Sequence, residues 1–311
     1  MPATSRNFAL SLLALLAWLC LPASLAANTM VGVIMPSTTP NALELQRVFR
    51  ETLKSEAPAA DLEIVFQRPF PDAVALSNAT RKLVAAGADL LVTYGTTATI
   101  AALNEKIKPP VIYSGVYDPD NAPFAGLNLT GCGYKIPLTS LLRHLRELKQ
   151  INTISIVYCS LENDTVRQFN ELAELTKAQQ ITLIPINIKS GEELDKEQLS
   201  KGDAILFTSG NVVNLRLNEM LVVAQAHQQP SIGIFPDLNE AGVTISLYNS
   251  PQEQSRKTGQ IAAQIIAGKQ PRDIKPEILR NTELVFNLRG AKSIGVNIPF
   301  QMVAEASRVI K

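Results

Sequence analysis

The sequence predicts an α/β protein built from two successive units, each with a parallel β-sheet flanked by helices. Two observations support this prediction. Short, nearly continuous apolar runs alternate with longer amphipathic segments, as expected for buried parallel strands and the helices that connect them. The same order begins again after a segment rich in Pro, Gly and Asn at residues 117–135, and each unit then has the size of an ordinary domain.

The composition is that of a folded globular protein. Of the 311 residues, 46% are hydrophobic and 18% are charged, which provides enough apolar material for a substantial core. The 29 basic and 28 acidic residues nearly balance and form no run of like charge. This balance gives no electrostatic footprint for nucleic acid, so no nucleic-acid partner is expected.

The first 26 residues are interpreted as a signal peptide that is cleaved after Ala26. Arg6 precedes an apolar block at residues 8–21, and small residues follow at Ser24 and Ala26. The block is shorter than the ~20 apolar residues that a membrane-spanning helix needs, and an uncleaved anchor is the alternative. In an exported protein Cys132 and Cys159 can form a disulfide, but the sequence leaves open whether they do.

The first unit contains four predicted strands with helices between them. The strands are the apolar runs at residues 30–35, 61–67, 89–94 and 110–116, and helices are predicted at residues 41–56 and 72–87. Asp72 is of the residue type that caps a helix start, and Gly87 is of the type that ends a helix.

The second unit repeats this order. Strands are predicted at residues 153–159, 181–188, 203–208 and 230–235, and helices at residues 164–178, 192–200 and 212–228. The segment at residues 117–135 is then the connection that crosses from one sheet to the other.

The carboxyl ends of the strands are the expected binding edge, because open α/β sheets bind ligands in the crevice outside those ends. Gly95, Thr96 and Thr97 follow the third strand. Glycine permits a tight turn there, and the helix that begins after it presents unpaired N–H groups. This arrangement suits a carboxylate or another small acceptor, while the alternative is that Thr96 only caps its own helix.

Short polar side chains also follow several other strands. These further candidates for ligand binding are Ser37, Thr38, Asp118, Asn163, Thr208, Asn211 and Asp237. Each residue type is also common in turns and caps, so the prediction rests on their recurrence at successive strand ends. Together they predict two facing walls of one cleft.

Four longer motifs carry a family resemblance. They are a strand ending in Asp118-Pro119, a turn Asn128-x-Thr130-Gly131, a helix exit AGKQP at residues 267–271, and the closing pattern N-L-x-x-A-K-x-x-G-x-x-I-P at residues 287–299. In these motifs the chain resembles the ABC transporter substrate-binding family whose characterised members take up tryptophan and tyrosine. The similarity covers essentially all of the chain after residue 26.

The resemblance implies a type I periplasmic binding protein-like fold, in which two Rossmann-like lobes joined by a hinge close on a ligand. The implied N-terminal lobe is residues 27–128 with about 250–275, the C-terminal lobe is residues 129–249, and residues 276–311 are unassigned. The resemblance further implies a periplasmic monomer, without cofactor or metal, that delivers an amino acid-like molecule to an ABC permease in the inner membrane. Asp118 or Asp237 would then bind the ligand's ammonium, and Thr96 and Thr97 its carboxylate.

Departures from the family pattern leave the ligand's identity open. Where members usually read a glycine-rich GA…G…DY…G, this chain keeps Gly242 but has Tyr248, Pro251 and Ser255 at the later positions. Members usually carry an Asp before the Asn of the second-lobe turn, where this chain has Gly210. No Trp follows residue 26, so stacking on an aromatic ligand would fall to Tyr94, Tyr113, Tyr117 or Phe235.

Two other functions are alternatives. A ligand-sensing subunit that docks on a membrane receptor, kinase or cyclase would have the same sequence features. A secreted hydrolase is disfavoured, because the sequence has no GxSxG or Walker motif and no metal-ligand spacing, and both His144 and His227 lie in helical patterns among apolar residues. Cys159 is interpreted as a small apolar side chain rather than a nucleophile, so the chain is predicted not to be an enzyme.

Overall fold

The structure is a computed structural model that describes residues 28–189, 191–236 and 238–311. The predicted signal peptide, residues 1–26, and the candidate ligand-binding residue Asp237 lie outside the described residues. Strands and helices alternate along the chain, in agreement with the sequence pattern.

The strands are numbered along the chain. They are β1 (Thr29–Ile34), β2 (Leu62–Gln67), β3 (Leu90–Tyr94), β4 (Val111–Tyr117), β5 (Thr130–Tyr134), β6 (Thr153–Tyr158), β7 (Thr182–Asn187), β8 (Ala204–Phe207), β9 (Ser231–Gly233), β10 (Ile245–Asn249), β11 (Glu277–Leu279), β12 (Thr282–Asn287) and β13 (Arg308–Ile310).

The helices are numbered in the same way. They are α1 (Pro40–Glu56), α2 (Ala73–Ala85), α3 (Thr96–Asn104), α4 (Leu138–Leu148), α5 (Asn163–Ala178), α6 (Lys196–Ser200), α7 (Asn211–Leu215), α8 (Leu217–Ala226), α9 (Leu238–Ala241), α10 (Pro251–Ile266), α11 (Leu288–Ser293) and α12 (Phe300–Glu305). Short 3₁₀ turns lie at Pro119–Asn121 and Pro271–Asp273.

The first sheet has the strand order β11-β5-β4-β3-β1-β2, and its neighbouring strands are all parallel. Apolar side chains of α1 and α10 pack on one face of this sheet, and those of α2 and α3 pack on the other. Burial on both faces explains why these strands read as continuous apolar runs rather than as alternating patterns.

The second sheet has the order β13-β12-β10-β9-β8-β6-β7. β10 and β12 are antiparallel, whereas the other neighbouring pairs are parallel. One face is covered by α4 and α5, and the other by α7 and α8. The predicted fold class, α/β with two largely parallel sheets, is confirmed.

Three short connections join the two sheets. Residues 135–137 lead from β5 to α4, Ser250 leads from β10 to α10, and residues 280–281 lead from β11 to β12. We therefore define the first lobe as residues 28–134 and 251–279, and the second lobe as residues 138–249 and 282–311.

These limits differ from the boundaries that the sequence suggests. β5 pairs with β4 in the first sheet, whereas the family resemblance implies a second lobe that begins at residue 129. The β5 sequence, TGCGY, contains two glycines and lacks the continuous apolar run of its neighbours. The unassigned tail is divided, since β11 pairs with β5 while β12 and β13 belong to the second sheet.

Helix ends near the site follow local capping rules. Thr39 Oγ1 accepts a hydrogen bond from the Ala42 N–H at 3.2 Å and so caps α1. Asp72 Oδ1 accepts from the Ala75 N–H at 2.8 Å and caps α2. Gly87 follows α2 with a φ of 95°, a conformation that glycine adopts without strain.

The structure describes the state of the two cysteines and the length and apolarity of the helices. Cys132 in β5 and Cys159 after β6 are both buried and free, so they form no disulfide. Within the described ranges, no helix has the length and apolarity that crossing a bilayer requires.

The core of the second lobe yields a stability prediction. Phe286 in β12 is fully buried, with its ring edge-on to His144 at 5.9 Å between centroids. We expect Phe286→Ala to lower the free energy of unfolding by about 3–5 kcal/mol, because it removes a large buried side chain and leaves a cavity. Urea denaturation measures this loss. The matched control is Phe300→Ala, at a side chain that is 81% exposed, and equal losses in the two variants would contradict the packing described.

Candidate functional site

A cavity of about 190 Å³ lies between the lobes at the carboxyl ends of both sheets. The first lobe lines it with residues that follow β1 and β3, with Gly115 inside β4, and with the start of α10. The second lobe contributes residues that follow β6, β8 and β9, and the last two residues of β10. Its volume is well above that of a single water and below the ~300 Å³ at which pockets for drug-sized ligands begin, so the cavity suits a small molecule.

The cavity wall combines an apolar surface with short polar groups. The larger apolar and aromatic side chains in it are Met35, Leu45, Leu76, Tyr94, Ile234, Phe235 and Tyr248. The polar uncharged side chains are Ser37, Thr39, Asn41, Thr97, Tyr134, Ser209, Asn211, Asn214, Asn249 and Gln254. Among the described residues that line the cavity, the charged ones are Glu162 and Asp164, and there is no Lys, Arg or His.

Asp164 connects the two lobes. It lies in the first turn of α5, and its carboxylate crosses to the first lobe, where Oδ2 accepts from the Thr96 N–H at 2.8 Å. Oδ1 accepts from the Thr96 hydroxyl at 2.6 Å and from the Tyr117 N–H at 3.0 Å. Arg167 lies behind the carboxylate, with Nη1 at 3.8 Å from Oδ1. Asp164 therefore occupies the N-terminus of α3, a position that favours negative charge.

Glu162 also accepts hydrogen bonds at the start of a helix, but this helix, α7, belongs to its own lobe. Its Oε1 accepts from the backbone N–H and the side-chain Nδ2 of Asn211, at 2.8 and 2.9 Å. Its Oε2 accepts from the Val212 N–H at 3.0 Å. Glu162 thus satisfies the first N–H groups of α7, which would otherwise be unpaired at the cavity.

Burial raises the pKa of both carboxyl groups. Removal from water is the largest cause for each, and the hydrogen bonds from Thr96, Tyr117, Asn211 and Val212 only partly oppose it. The negative charge of Asp164 raises the pKa of Glu162 further. The pair therefore sits in the cavity wall as two poorly solvated acids.

The Asn163 backbone adds another contact across the cleft. Its N–H donates to the Thr97 hydroxyl at 3.0 Å. At the other end of the cavity, the hydroxyls of Tyr134 and Ser209 are 2.6 Å apart and join β5 to the loop after β8. The lobes are consequently held together by direct polar contacts around the cavity.

A second group of interlobe contacts lies beside the connection at residues 135–137. Lys135 Nζ contacts Asp118 Oδ2 at 3.0 Å and Glu171 Oε2 at 2.5 Å, and Glu171 also accepts from the Tyr117 hydroxyl at 2.7 Å. Arg167 donates to the backbone carbonyls of Tyr117 and Asp118. Burial opposes ionisation of Asp118, but hydrogen bonds from Asn121 and Lys135 hold its pKa below the usual value. Asp118 is thus a member of this network and not of the cavity wall.

The structure brings four of the predicted residues to the cavity. They are Ser37, Gly95, Thr97 and Asn211. Thr96 and Asn163 lie in the interlobe contacts next to it. The predicted alternative for Thr96, a simple cap of its own helix, does not describe it, because its N–H and hydroxyl both bind Asp164 and Gly95 is the N-cap residue of α3.

The remaining predicted residues lie elsewhere. Thr38 is exposed, and Thr208 is fully buried with its hydroxyl bonded to the Val157 carbonyl at 2.8 Å. Of the aromatic side chains proposed for stacking, Tyr94 and Phe235 line the cavity, whereas Tyr113 packs against Phe124 and Tyr117 against Tyr134.

Sequence reasoning did not select Glu162 and Asp164. Both flank the predicted residue Asn163 at the start of a helix, where acidic residues are ordinary. The sequence did contain a sign of their role, because two acidic residues occur close together after the predicted strand at residues 153–159, at an end that faces the cleft. Gly210 also has a structural reason, since a Cβ at this position would lie 2.7 Å from Glu162 Oε2.

Two α/β lobes with largely parallel sheets, joined by short connections and enclosing a cavity between their strand ends, define the fold of the type I periplasmic binding proteins. The chain belongs to the family described as ABC transporter substrate binding protein, whose sequence profile matches residues 30–310. The family resemblance found in the sequence is confirmed.

Individual relatives are distant. A tyrosine-binding protein of Clostridioides difficile (strain R20291) is 21% identical over 237 residues, which is 73% of this chain and 69% of the relative. The crystal structure of an ABC domain in complex with L-Trp from Streptococcus pneumonia has a TM-score of 0.84 and 22% identity, covering 91% of this chain and 100% of that one. A conserved domain protein of Vibrio cholerae has the same TM-score and identity, covering 90% and 99%.

The Asp164 contact generates a prediction about stability. We expect Thr96→Val to lower the free energy of unfolding by about 1.5–3 kcal/mol, because a buried charged acceptor loses one of its donors while the side-chain shape is kept. Urea denaturation of the unliganded protein measures the effect. The control is Thr96→Ser, which retains the hydroxyl, and it should be clearly less destabilised than Thr96→Val. If both variants lost the same stability, the hydroxyl contact with Asp164 would have no energetic role.

Proposed function

We propose that this protein is the periplasmic solute-binding component of an ABC uptake transporter. It binds a small, polar, amino acid-like organic molecule in the cavity between the lobes and does so by hinge closure. The observation that carries this proposal is the cavity itself, because both lobes line it and neither lobe alone encloses it. A ligand there contacts both walls, and its binding energy then favours the closed arrangement.

The ligand class is supported by the relatives and by the chemistry of the wall. One relative is named for binding tyrosine, and a similar structure holds L-Trp. The wall offers apolar side chains for the body of such a molecule, and carboxylates, hydroxyls and amides for its polar groups.

We propose that the protein binds this molecule without changing it chemically. Family membership supports this view, since the family is one of substrate-binding proteins. Within the described part of the chain no His or Cys lines the cavity, and no group of three His, Cys, Asp or Glu side chains could hold a metal ion there.

The cellular setting is also part of the proposal. Cleavage after Ala26 releases the mature chain into the periplasm, where it acts as a monomer and docks on an ABC permease in the inner membrane. The apolar block at residues 8–21 and the family membership support this setting.

Ligand binding is tested with a thermal-shift screen of the secreted protein against amino acids, amines, nucleosides and small peptides. A ligand that binds only the folded protein stabilises it, by about 2.7 kcal/mol at a concentration of 100 times Kd. For the compound that gives a shift, Ser37→Trp should abolish the shift, because Ser37 lines the cavity and the indole would fill it. Thr38→Trp is the matched control at an exposed neighbour outside the cavity and should keep the shift. If Ser37→Trp kept the shift as fully as Thr38→Trp, binding would lie outside the cavity.

Transport is tested in the native cell. Deleting the gene should abolish uptake of the isotope-labelled ligand at concentrations near Kd, and a plasmid copy of the gene should restore it, because the permease receives solute from its binding protein. A strain carrying the Ser37→Trp copy should remain deficient. Unchanged uptake together with the loss of a ligand-dependent cellular response would instead favour the sensing subunit.

A further inference from the structure

The charges around the cavity are unbalanced. Glu162 and Asp164 both line it, and both are at least nine-tenths buried. Arg167 approaches Asp164 to 3.8 Å from outside the cavity and offsets one negative charge. Glu162 forms no ion pair with any residue in the described ranges, so one negative charge at the cavity lacks a cationic partner. A buried carboxylate in this situation is costly unless a cation or a proton neutralises it.

The two carboxylates retain acceptor capacity toward the cavity. An ionised carboxylate offers about four lone-pair positions, and each of these groups accepts three hydrogen bonds from the described residues. Glu162 Oε2 accepts one bond and Asp164 Oδ2 accepts one, so the spare position falls on each of these two oxygens.

Two glycines keep these same oxygens uncovered. A Cβ at Gly210 would lie 2.7 Å from Glu162 Oε2, and a Cβ at Gly95 would lie 3.5 Å from Asp164 Oδ2. Gly95 and Gly210 both line the cavity. A side chain at either position would cover the oxygen that has a lone pair to spare, whereas glycine leaves space for an N–H donor from a ligand.

The same geometry disfavours a ligand carboxylate. The expected anion site is the N-terminus of α3, but Asp164 already binds the N–H and hydroxyl of Thr96 there. The next N–H groups along α3 belong to Thr97 and Ala98, which both line the cavity. A ligand carboxylate bound to the N–H groups of Thr97 and Ala98 would lie close to the Asp164 carboxylate, which binds the preceding residue, Thr96. Two negative charges close together in a buried site repel each other strongly. A neutral carbonyl or hydroxyl can use these N–H groups without that cost.

We propose that the ligand is an organic monocation, an amine of amino-acid size without a carboxylate, whose ammonium lies between Glu162 and Asp164 and whose body packs on the apolar wall. This inference rests on the proposed function and defines the chemical class of its ligand. The ammonium supplies the missing positive charge and donates to Glu162 Oε2 and Asp164 Oδ2. Charge-assisted bonds of this kind are stronger than neutral ones.

Among the described residues, the other ionisable groups at the cavity are the guanidinium of Arg167 on α5 and the phenols of Tyr94 on β3, Tyr134 on β5 and Tyr248 on β10. Burial raises the pKa of Tyr94 to about 12, and it also raises the pKa of Tyr134, so these two phenols stay neutral. Since burial also raises the pKa of both carboxyl groups, lowering the pH protonates them, and protonation competes with the ammonium.

The test compares ligands that share one aromatic ring and differ in the charged group that they carry. Calorimetric titrations of the wild-type protein use tyramine, tyrosine and tyrosol, and then tryptamine, tryptophan and tryptophol. In each set the three compounds share one ring and carry an ammonium, a zwitterion or a neutral hydroxyl. We expect the amine of at least one set to bind at least about tenfold more tightly than its two counterparts, a difference of about 1.4 kcal/mol. Its affinity should fall as the pH is lowered, because the carboxyl groups with raised pKa values take up protons, while that of the alcohol should not.

A variant pair ties the effect to Glu162. In Glu162→Gln the amine should lose at least about tenfold in affinity while the alcohol is unaffected. The matched control is Glu174→Gln, at an exposed residue of α5, the helix that begins directly after Glu162, and it should leave both affinities unchanged. The carboxylate of Glu162 also binds the start of α7. If Glu162→Gln does not fold for that reason, the ligand selectivity and the pH profile of the wild-type protein still decide the question.

The outcomes separate this inference from the proposed function. Tighter binding of the amino acid, or equal binding of amine and alcohol, would overturn the cationic ligand and leave solute binding intact. If a non-cationic compound from the wider screen bound instead, the cationic ligand would be overturned in the same way. If no compound of any class bound, the proposed function would fail, and the cationic ligand with it.

Discussion

The arrangement of this protein depends on the carboxylate of Asp164, which lies between the first turns of two helices from different lobes. Both α3 and α5 direct their N-termini, with their partial positive charge, toward the cleft. A negative group shared between them removes the repulsion and satisfies the Thr96 and Tyr117 N–H groups at once. Without it, the contact between the lobes would bury unpaired donors, and such donors are costly to leave without a partner.

One short segment organises both walls of the cavity. In residues 162–164, Glu162 binds the start of α7 in its own lobe, the Asn163 N–H binds Thr97, and Asp164 binds Thr96 in the other lobe. Three successive residues therefore fix the positions of two helix N-termini relative to each other. The cavity lies beside these contacts, so the same residues determine both its shape and its charge.

The contacts beside the connection at residues 135–137 complement this segment. Lys135 lies over the Tyr117 ring, with Nζ at 4.6 Å from the centroid, and pairs with carboxylates of both lobes. Arg167 reaches the carbonyls of Tyr117 and Asp118, where Asp118 has a φ of 46°. That backbone turn presents two successive carbonyls to one guanidinium, whose planar fork suits paired acceptors. Asp118 thus contributes to the contacts between the lobes through its backbone and through Lys135, not through contact with the cavity.

The fold class, the strands β1–β4 and β6–β9 and the edge of the sheets where a cavity forms follow from the amino-acid sequence, because burial periodicity and helix caps are local properties. Ser37, Gly95, Thr97 and Asn211 were predictable for this reason, and the family was recognisable from its C-terminal pattern. The lobe assignment of the glycine-rich strand β5 and the roles of Glu162, Asp164 and Asp118 became apparent in the three-dimensional fold. The partners of Asp164 and Glu162 are 68 and 50 residues away along the chain. Whether an acidic side chain caps its own helix, a remote helix or a ligand depends on which segments meet in space, and no local pattern encodes that meeting.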